Sequence, residues 1–299
     1  VMTCVLGMVV RREREIRSFV KTPFYRVLAK MSVEGRSFDG EWRAVEGSRY
    51  YQSPLLYKDN GFLKKEDAEK LITELSETEP LTASVEKAER KKEKKNPPLL
   101  YNLAELQNDC AKLFKISPDE TLKIVQELYE KKLVTYPRTD ARVLSSAVAK
   151  EIHRNLAGLK NYGKTAELAG EILENGSYKK IGNTRYTNDK QITDHYAIIP
   201  TGQGLGNLRN LRELPEKVYE VIVRKFLAVF YPPAVYQKVS LTTVSGGERF
   251  FSSFKVLLEE GYLKVMNYSF SRRKDAPSGN SSGDGGEAEI ACDQEFLAA

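Results

Sequence analysis

Cysteine, histidine and tryptophan are scarce in this chain: its 299 residues include three, two and one of them. Cys4, Cys110 and Cys292 lie far apart, are odd in number and form no CxxC pair, which excludes a disulfide framework and a cysteine zinc site. A reducing, cytoplasmic setting is the expectation. Long apolar runs are missing too. The apolar opening at 1–10 is about half the length that spans a bilayer, and its basic residues Arg11 and Arg12 follow it, where a secretion signal would place them first. No internal repeat is visible. Nor is there a large excess of one charge: 47 Lys and Arg stand against 41 Asp and Glu, a net charge of +6. So mild a bias toward polyanionic partners decides nothing until the charge proves clustered.

The composition is that of an ordinary globular protein, 41% hydrophobic and 29% charged, long enough for roughly two domains at about 150 residues each. Residues 5–19 have a helical period, with Leu6, Val9, Val10, Ile16 and Phe19 on one side and charges between; Pro23 stops it. The pattern over 25–57 changes to short runs of Val, Phe, Tyr and Trp broken by Gly35, Gly40, Gly47 and Pro54, which predicts antiparallel strands. A helix is expected over 61–75 and a strand over 81–87. The tract 86–95 carries Lys87, Arg90, Lys91, Lys92, Lys94 and Lys95 and runs into Pro97 and Pro98, and reads as a solvated connector.

Helical patterns then dominate, at 103–114, 118–132, 145–156, 165–175 and 216–230. Ser117 and Pro118 form a strong helix start. Past Pro232 and Pro233, β-type alternation returns over 235–258 around Gly246-Gly247, and the Ser/Gly-rich tract 276–287 is expected to be mobile. The order β-rich, helical, β-rich predicts an α+β protein in which a helical domain is inserted into an antiparallel β domain. The first residue is Val inside an apolar run, so a longer natural protein is expected.

Two segments could carry chemistry. In Tyr136-Pro137-Arg138-Thr139-Asp140 the proline forbids a helix and favours an extended Tyr136, and in an extended chain Tyr136 and Arg138 share a face. A phenol with a pKa of about 10 is a poor nucleophile unless a cation or proton acceptor assists it. A guanidinium can clamp a phosphate and stabilise charge developing on it. The pair therefore points to tyrosine attack on a phosphodiester, although from residue types alone a core Tyr beside a surface Arg is the commoner source of such a segment. The second segment is Asp194-His195-Tyr196-Ala197-Ile198-Ile199-Pro200-Thr201; taken alone it reads first as a turn histidine before a buried strand. The other histidine, His153, lies mid-helix among charges and reads as a surface residue.

Together these segments resemble type IA DNA topoisomerases. Leu6-Gly7-Met8-Val9-Val10-Arg11-Arg12-Glu13-Arg14-Glu15-Ile16 looks like a third family motif, and Pro98-Leu99-Leu100-Tyr101-Asn102-Leu103 with Leu128-Tyr129-Glu130-Lys131-Lys132 a fourth, in the family's order up to about residue 268. The forms of the two site motifs are most similar to the topoisomerase III branch of bacteria and their mobile elements. The resemblance implies that Tyr136 is the nucleophile giving a 5′-phosphotyrosine and a free 3′-hydroxyl. It makes Arg138 the holder of the scissile phosphate and His195 a support of DNA binding and transesterification, and it sets Arg138, Thr139, Asp140, His195 and Thr201 on the DNA.

It further implies a domain plan: 1–31 and 263–299 as parts of a further helical domain, 32–95 and 233–262 as a β-rich arch, and 96–232 as the helical domain that carries Tyr136 and lifts to open a gate. Strand passage and religation would need no ATP. Magnesium would be bound in the full-length enzyme by a Toprim domain preceding this chain, with a catalytic Glu and a DxDxxG-type cluster; no DxD occurs in the 299 residues. No metal is therefore expected in this chain, whose partners would be single-stranded DNA and that Toprim domain, on nucleoid or plasmid DNA. Ala141 departs from the family's usual Ser, and Tyr196 from a frequent second His. The order Tyr136 before His195 argues against tyrosine recombinases. A non-catalytic single-strand-binding module and a scaffold whose basic tract binds polyanions are the other readings.

Overall fold

The computed structural model describes residues 2–33, 35–77, 81–271 and 290–291. The expected tract 276–287 and Cys292 lie outside these. The fold is mixed α and β, as expected, and separates into two compact units, one of 1–91, 238–256 and 279–299, the other of 92–237 and 257–278.

The first unit opens with α1 (Met2–Arg17), an amphipathic helix with no buried residue. Then follow β1 (Leu28–Val33), β2 (Arg36–Trp42), the short pair β3 (Leu56–Lys58) and β4 (Gly61–Phe62), and α2 (Lys65–Ser76). The main sheet has the order β1-β2-β7-β6-β5, formed with β5 (Ser84–Lys95), β6 (Ala234–Ser245) and β7 (Glu248–Glu259); β8 (Ile290–Ala291) lies parallel to β7. β1 and β2 pair antiparallel, Leu28 opposite Glu41 and Val33 opposite Arg36. Gly246 and Gly247, at φ 56° and 79°, form the two-residue turn of the β6–β7 hairpin; two positive φ values in succession match the right-handed twist of the strands.

Trp42 stacks on Phe62 at 4.9 Å, with Tyr50 edge-on to both rings. Beside them Glu248 is fully buried, a costly place for a carboxylate unless donors surround it. The indole N–H of Trp42 (2.8 Å), the Ser48 hydroxyl (2.6 Å) and the Arg49 backbone N–H (3.1 Å) supply them.

The expected connector at 86–95 is instead most of β5, an edge strand exposed along nearly its whole length. Lysine is a poor strand former, yet it suits an edge, where charge discourages pairing with another molecule. Glu89 sits between Lys87 (2.7 Å) and Lys91 (3.7 Å), side chains that share one face of a strand.

The second unit holds α3 (Leu103–Phe114), α4 (Pro118–Glu130), α5 (Ser146–Leu159), α6 (Ala166–Asn175) and α7 (Glu213–Ala228). α7 is its axis, with every residue from Val218 to Ala228 buried. It begins three residues before the expected 216–230, because Pro215 falls in the first turn, where a missing N–H costs nothing. The charges it buries are matched. Glu220 accepts from Arg224 (2.7 Å) and from the backbone N–H (2.6 Å) and hydroxyl of Ser269, while Arg224 donates to the Val265 carbonyl (2.9 Å).

Candidate active site

Two extended segments distant in sequence lie side by side in the second unit. Val134 bridges Pro200 in antiparallel fashion, the Thr135 N–H donates to the Ile199 carbonyl (3.0 Å) and the Thr201 N–H to the Leu133 carbonyl (3.0 Å). Prolines at 137 and 200 remove donors that such a ladder would use, and threonine hydroxyls add bonds of their own. Thr135 Oγ1 donates to the Ala197 carbonyl and accepts from the Ile199 N–H, both at 3.0 Å; Thr201 Oγ1 donates to the Lys132 carbonyl at 2.6 Å.

At the end of this ladder the ring of Tyr136 lies 4.4 Å from the ring of His195, tilted by 41°. On its other flank Tyr129 meets Tyr136 perpendicularly at 5.5 Å. Tyr136 is half-buried and His195 exposed. Beyond Tyr136 the chain departs from the extended form expected of it. The Thr139 N–H donates to the Pro137 carbonyl (3.1 Å), a three-residue turn with Arg138 at its apex. The guanidinium is exposed and, among the described residues, has no hydrogen-bond or ion-pair partner. It is therefore available to an anion.

Thr139 fastens this turn. Its hydroxyl donates to the His195 carbonyl (2.8 Å) and accepts from the Ala141 N–H (3.1 Å), and its side chain is buried. The hydroxyls of Thr139 and Thr201, the two threonines expected on the DNA, make hydrogen bonds within the protein. Asp140 is exposed, its carbonyl accepting from Asn102 Nδ2 (3.1 Å); Asn102 also caps α3 by accepting from the Glu105 N–H (2.9 Å). The next N–H of that helix start, on Leu103, donates to the Thr139 carbonyl (3.2 Å). Thus the Asn102 side-chain amide and the unpaired Leu103 N–H at a helix start hold the loop after the tyrosine.

Beneath, Tyr101 bridges Ile198, and its phenol, pushed well above its usual pKa chiefly by burial, donates to Asp109 (2.6 Å). Lys225 lies 4.5 Å over the Tyr101 ring, and its ammonium is pushed down by burial although Asp109 opposes this.

Composition gave no sign of Asn102, Thr135 or the loop after Thr201 as parts of the site. Gly202, at φ 74°, brings that loop's backbone against α5: a Cβ on Gly158 would lie 2.0 Å from the Gly202 carbonyl oxygen. His153 is exposed on α5 and away from these contacts.

The fold is that of the type IA topoisomerases. Full-length topoisomerase I from Thermotoga maritima superposes with a TM-score of 0.58 over 94% of this chain and 41% of that one, at 22% identity. The family model for DNA topoisomerase matches residues 1–291, and the chain belongs to that family. Its likeness is to the topoisomerase III branch: DNA topoisomerase 3 of Bacillus licheniformis is 33% identical over 272 residues, 90% of this chain, and that of Bacillus subtilis 33% over 270 residues, 89% of it. The chain spans about a third of the length of these curated relatives, 34% of each.

Proposed function

We propose that this chain carries the strand-cleaving tyrosine of a type IA topoisomerase. The Tyr136 oxygen attacks a phosphodiester of one DNA strand; the P–O3′ bond breaks, leaving a 5′-phosphotyrosine and a 3′-oxygen that takes up a proton as the phenol loses its own. One ester replaces another, so religation is the same step reversed and needs no ATP. The observation that carries this reading is the contact of Tyr136 with His195, next to an exposed, unpartnered Arg138. Arg138 would hold the phosphate and His195 orient the phenol and the strand. An unpaired strand is the natural substrate, and binding should weaken with salt as phosphate contacts release counterions.

Among the described residues no group of three or more His, Cys, Asp or Glu side chains is placed to hold a metal ion. We assign the magnesium site and the remaining acid to a Toprim domain of the longer protein. In this reading 32–95 with 233–262 is the arch and 96–232 the domain bearing Tyr136, while 1–31 and 263–299 belong to a further helical domain. The setting would be the bacterial cytoplasm, on nucleoid or plasmid DNA; among the described residues no helix is long and apolar enough to cross a membrane.

The test incubates the chain with labelled single-stranded DNA and magnesium, alone and with a separately made Toprim domain, followed by denaturation. Non-covalent binding is expected from the chain alone, and a covalent band only when the Toprim domain is added. Tyr136→Phe should abolish that band with affinity nearly unchanged. An adduct formed by the Phe variant would move the nucleophile elsewhere, and no adduct under either condition would leave a non-catalytic strand binder.

A further inference from the structure

Among the described residues of the second unit, Tyr129 is the only exposed tyrosine or phenylalanine, with 40% of its surface in water. The other tyrosines and phenylalanines there are buried or half-covered, as expected of rings whose burial is favourable. The exception stands beside the reactive tyrosine. Its contact with Tyr136 is perpendicular, 83° between planes, and such a contact occupies at most one face of the Tyr129 ring.

The ring is also held in place. Tyr129 lies in the last turn of α4, its carbonyl accepting from the Lys132 N–H (2.8 Å), and Lys132, in the left-handed region at φ 61°, is fixed in turn by the Thr201 hydroxyl. An exposed ring on an anchored backbone is pre-organised for a flat apolar ligand.

We infer that Tyr129 is a stacking platform for one unpaired nucleobase flanking the phosphate that Tyr136 attacks. The inference rests on the proposed reading of Tyr136. A phosphate at the Tyr136 oxygen has a base within one nucleotide on either side, and a ring centred 5.5 Å from that of Tyr136 is in reach of one of them. Every base has a π-face, so this platform accepts all four and rejects only those still paired in a duplex. It thereby gives the site a preference for single strands that Arg138, which meets phosphate alone, cannot supply.

The experiment measures affinity of the full chain for two probes of equal length and charge, an oligo-deoxythymidine and the same sugar-phosphate chain without bases. Tyr129→Leu should weaken binding of the base-bearing strand about 5- to 100-fold and leave the abasic chain unchanged, while Tyr129→Phe should match the parent on both. Thermal unfolding of the Leu variant at the parent's temperature confirms that it folds. Equal weakening on both probes, or none on either, overturns the platform while leaving the Tyr136 assignment to the adduct assay. Failure of the parent chain to bind either probe overturns both.

Discussion

The hydroxyl of Thr139 donates to the main-chain carbonyl of His195 at 2.8 Å, so the turn that follows the tyrosine and the histidine segment are fixed to each other. Thr139→Val keeps the shape and removes that hydroxyl. It leaves the His195 carbonyl and the Ala141 N–H without their partner, at a cost of about 1–3 kcal/mol in unfolding free energy. In the Toprim-supplemented assay, adduct formation should slow by roughly ten- to a hundredfold, since small displacements of reacting groups are expensive. Thr139→Ser should recover most of both, and a Val variant as fast as the parent would refute a positioning part for this hydroxyl.

Two glycines make opposite predictions. Gly158→Ala places a Cβ 2.0 Å from the Gly202 carbonyl oxygen, a backbone atom that cannot swing aside, and should destabilise by about 3 kcal/mol or fail to fold. Gly170, in α6, has nothing within 4 Å of its Cβ direction, so Gly170→Ala should stabilise by about 0.4–1 kcal/mol. Denaturant melts of the two variants check the contrast in sign.

Acid stability should depend on Glu220. Burial pushes its carboxyl up, but the hydroxyl and N–H of Ser269 and the Arg224 guanidinium outweigh this and hold it below the usual value of 4.5. A depressed folded-state pKa gives stability that is complete above the unfolded value and lost as pH falls through the folded one. Unfolding free energy measured from pH 6 downward should therefore decline below about 4.5, and Glu220→Gln should be less stable at neutral pH with a flatter decline. An unchanged acid slope in the Gln variant would refute the assignment.

Thiol chemistry should separate Cys4 from Cys110. Cys4 is exposed, whereas burial pushes the Cys110 thiol up to about 12. Since only the thiolate reacts, iodoacetamide near pH 8 should modify Cys4 promptly and Cys110 only when the second unit opens. Mass spectrometry of the two peptides over time and denaturant measures this; prompt labelling of Cys110 in native conditions would contradict its burial.

The helices of the second unit were legible because their apolar residues recur at the helical period and their starts carry caps; Ser117 and Pro118 open α4 as expected. The tract 86–95 was misread because its charges obscure the alternation, and its strand exists through pairing with β6, which local sequence does not display. At the site, Tyr136, Arg138 and His195 could be named from their motifs. The parts played by Thr135, Asn102 and Gly202 could not, because their work is to join segments remote in sequence, even though Asn102 stands in a quoted motif. The turn at Arg138 was missed for a related reason: Pro137 constrains Tyr136 before it but not the carbonyl it offers to Thr139.

Trp42 is the single tryptophan of the chain, sealed between Phe62 and Tyr50 with its N–H on a buried carboxylate. Indole fluorescence of this protein is therefore a signal from the first unit alone. Its colour and intensity track solvent entry around Glu248, the buried carboxylate that holds the indole N–H.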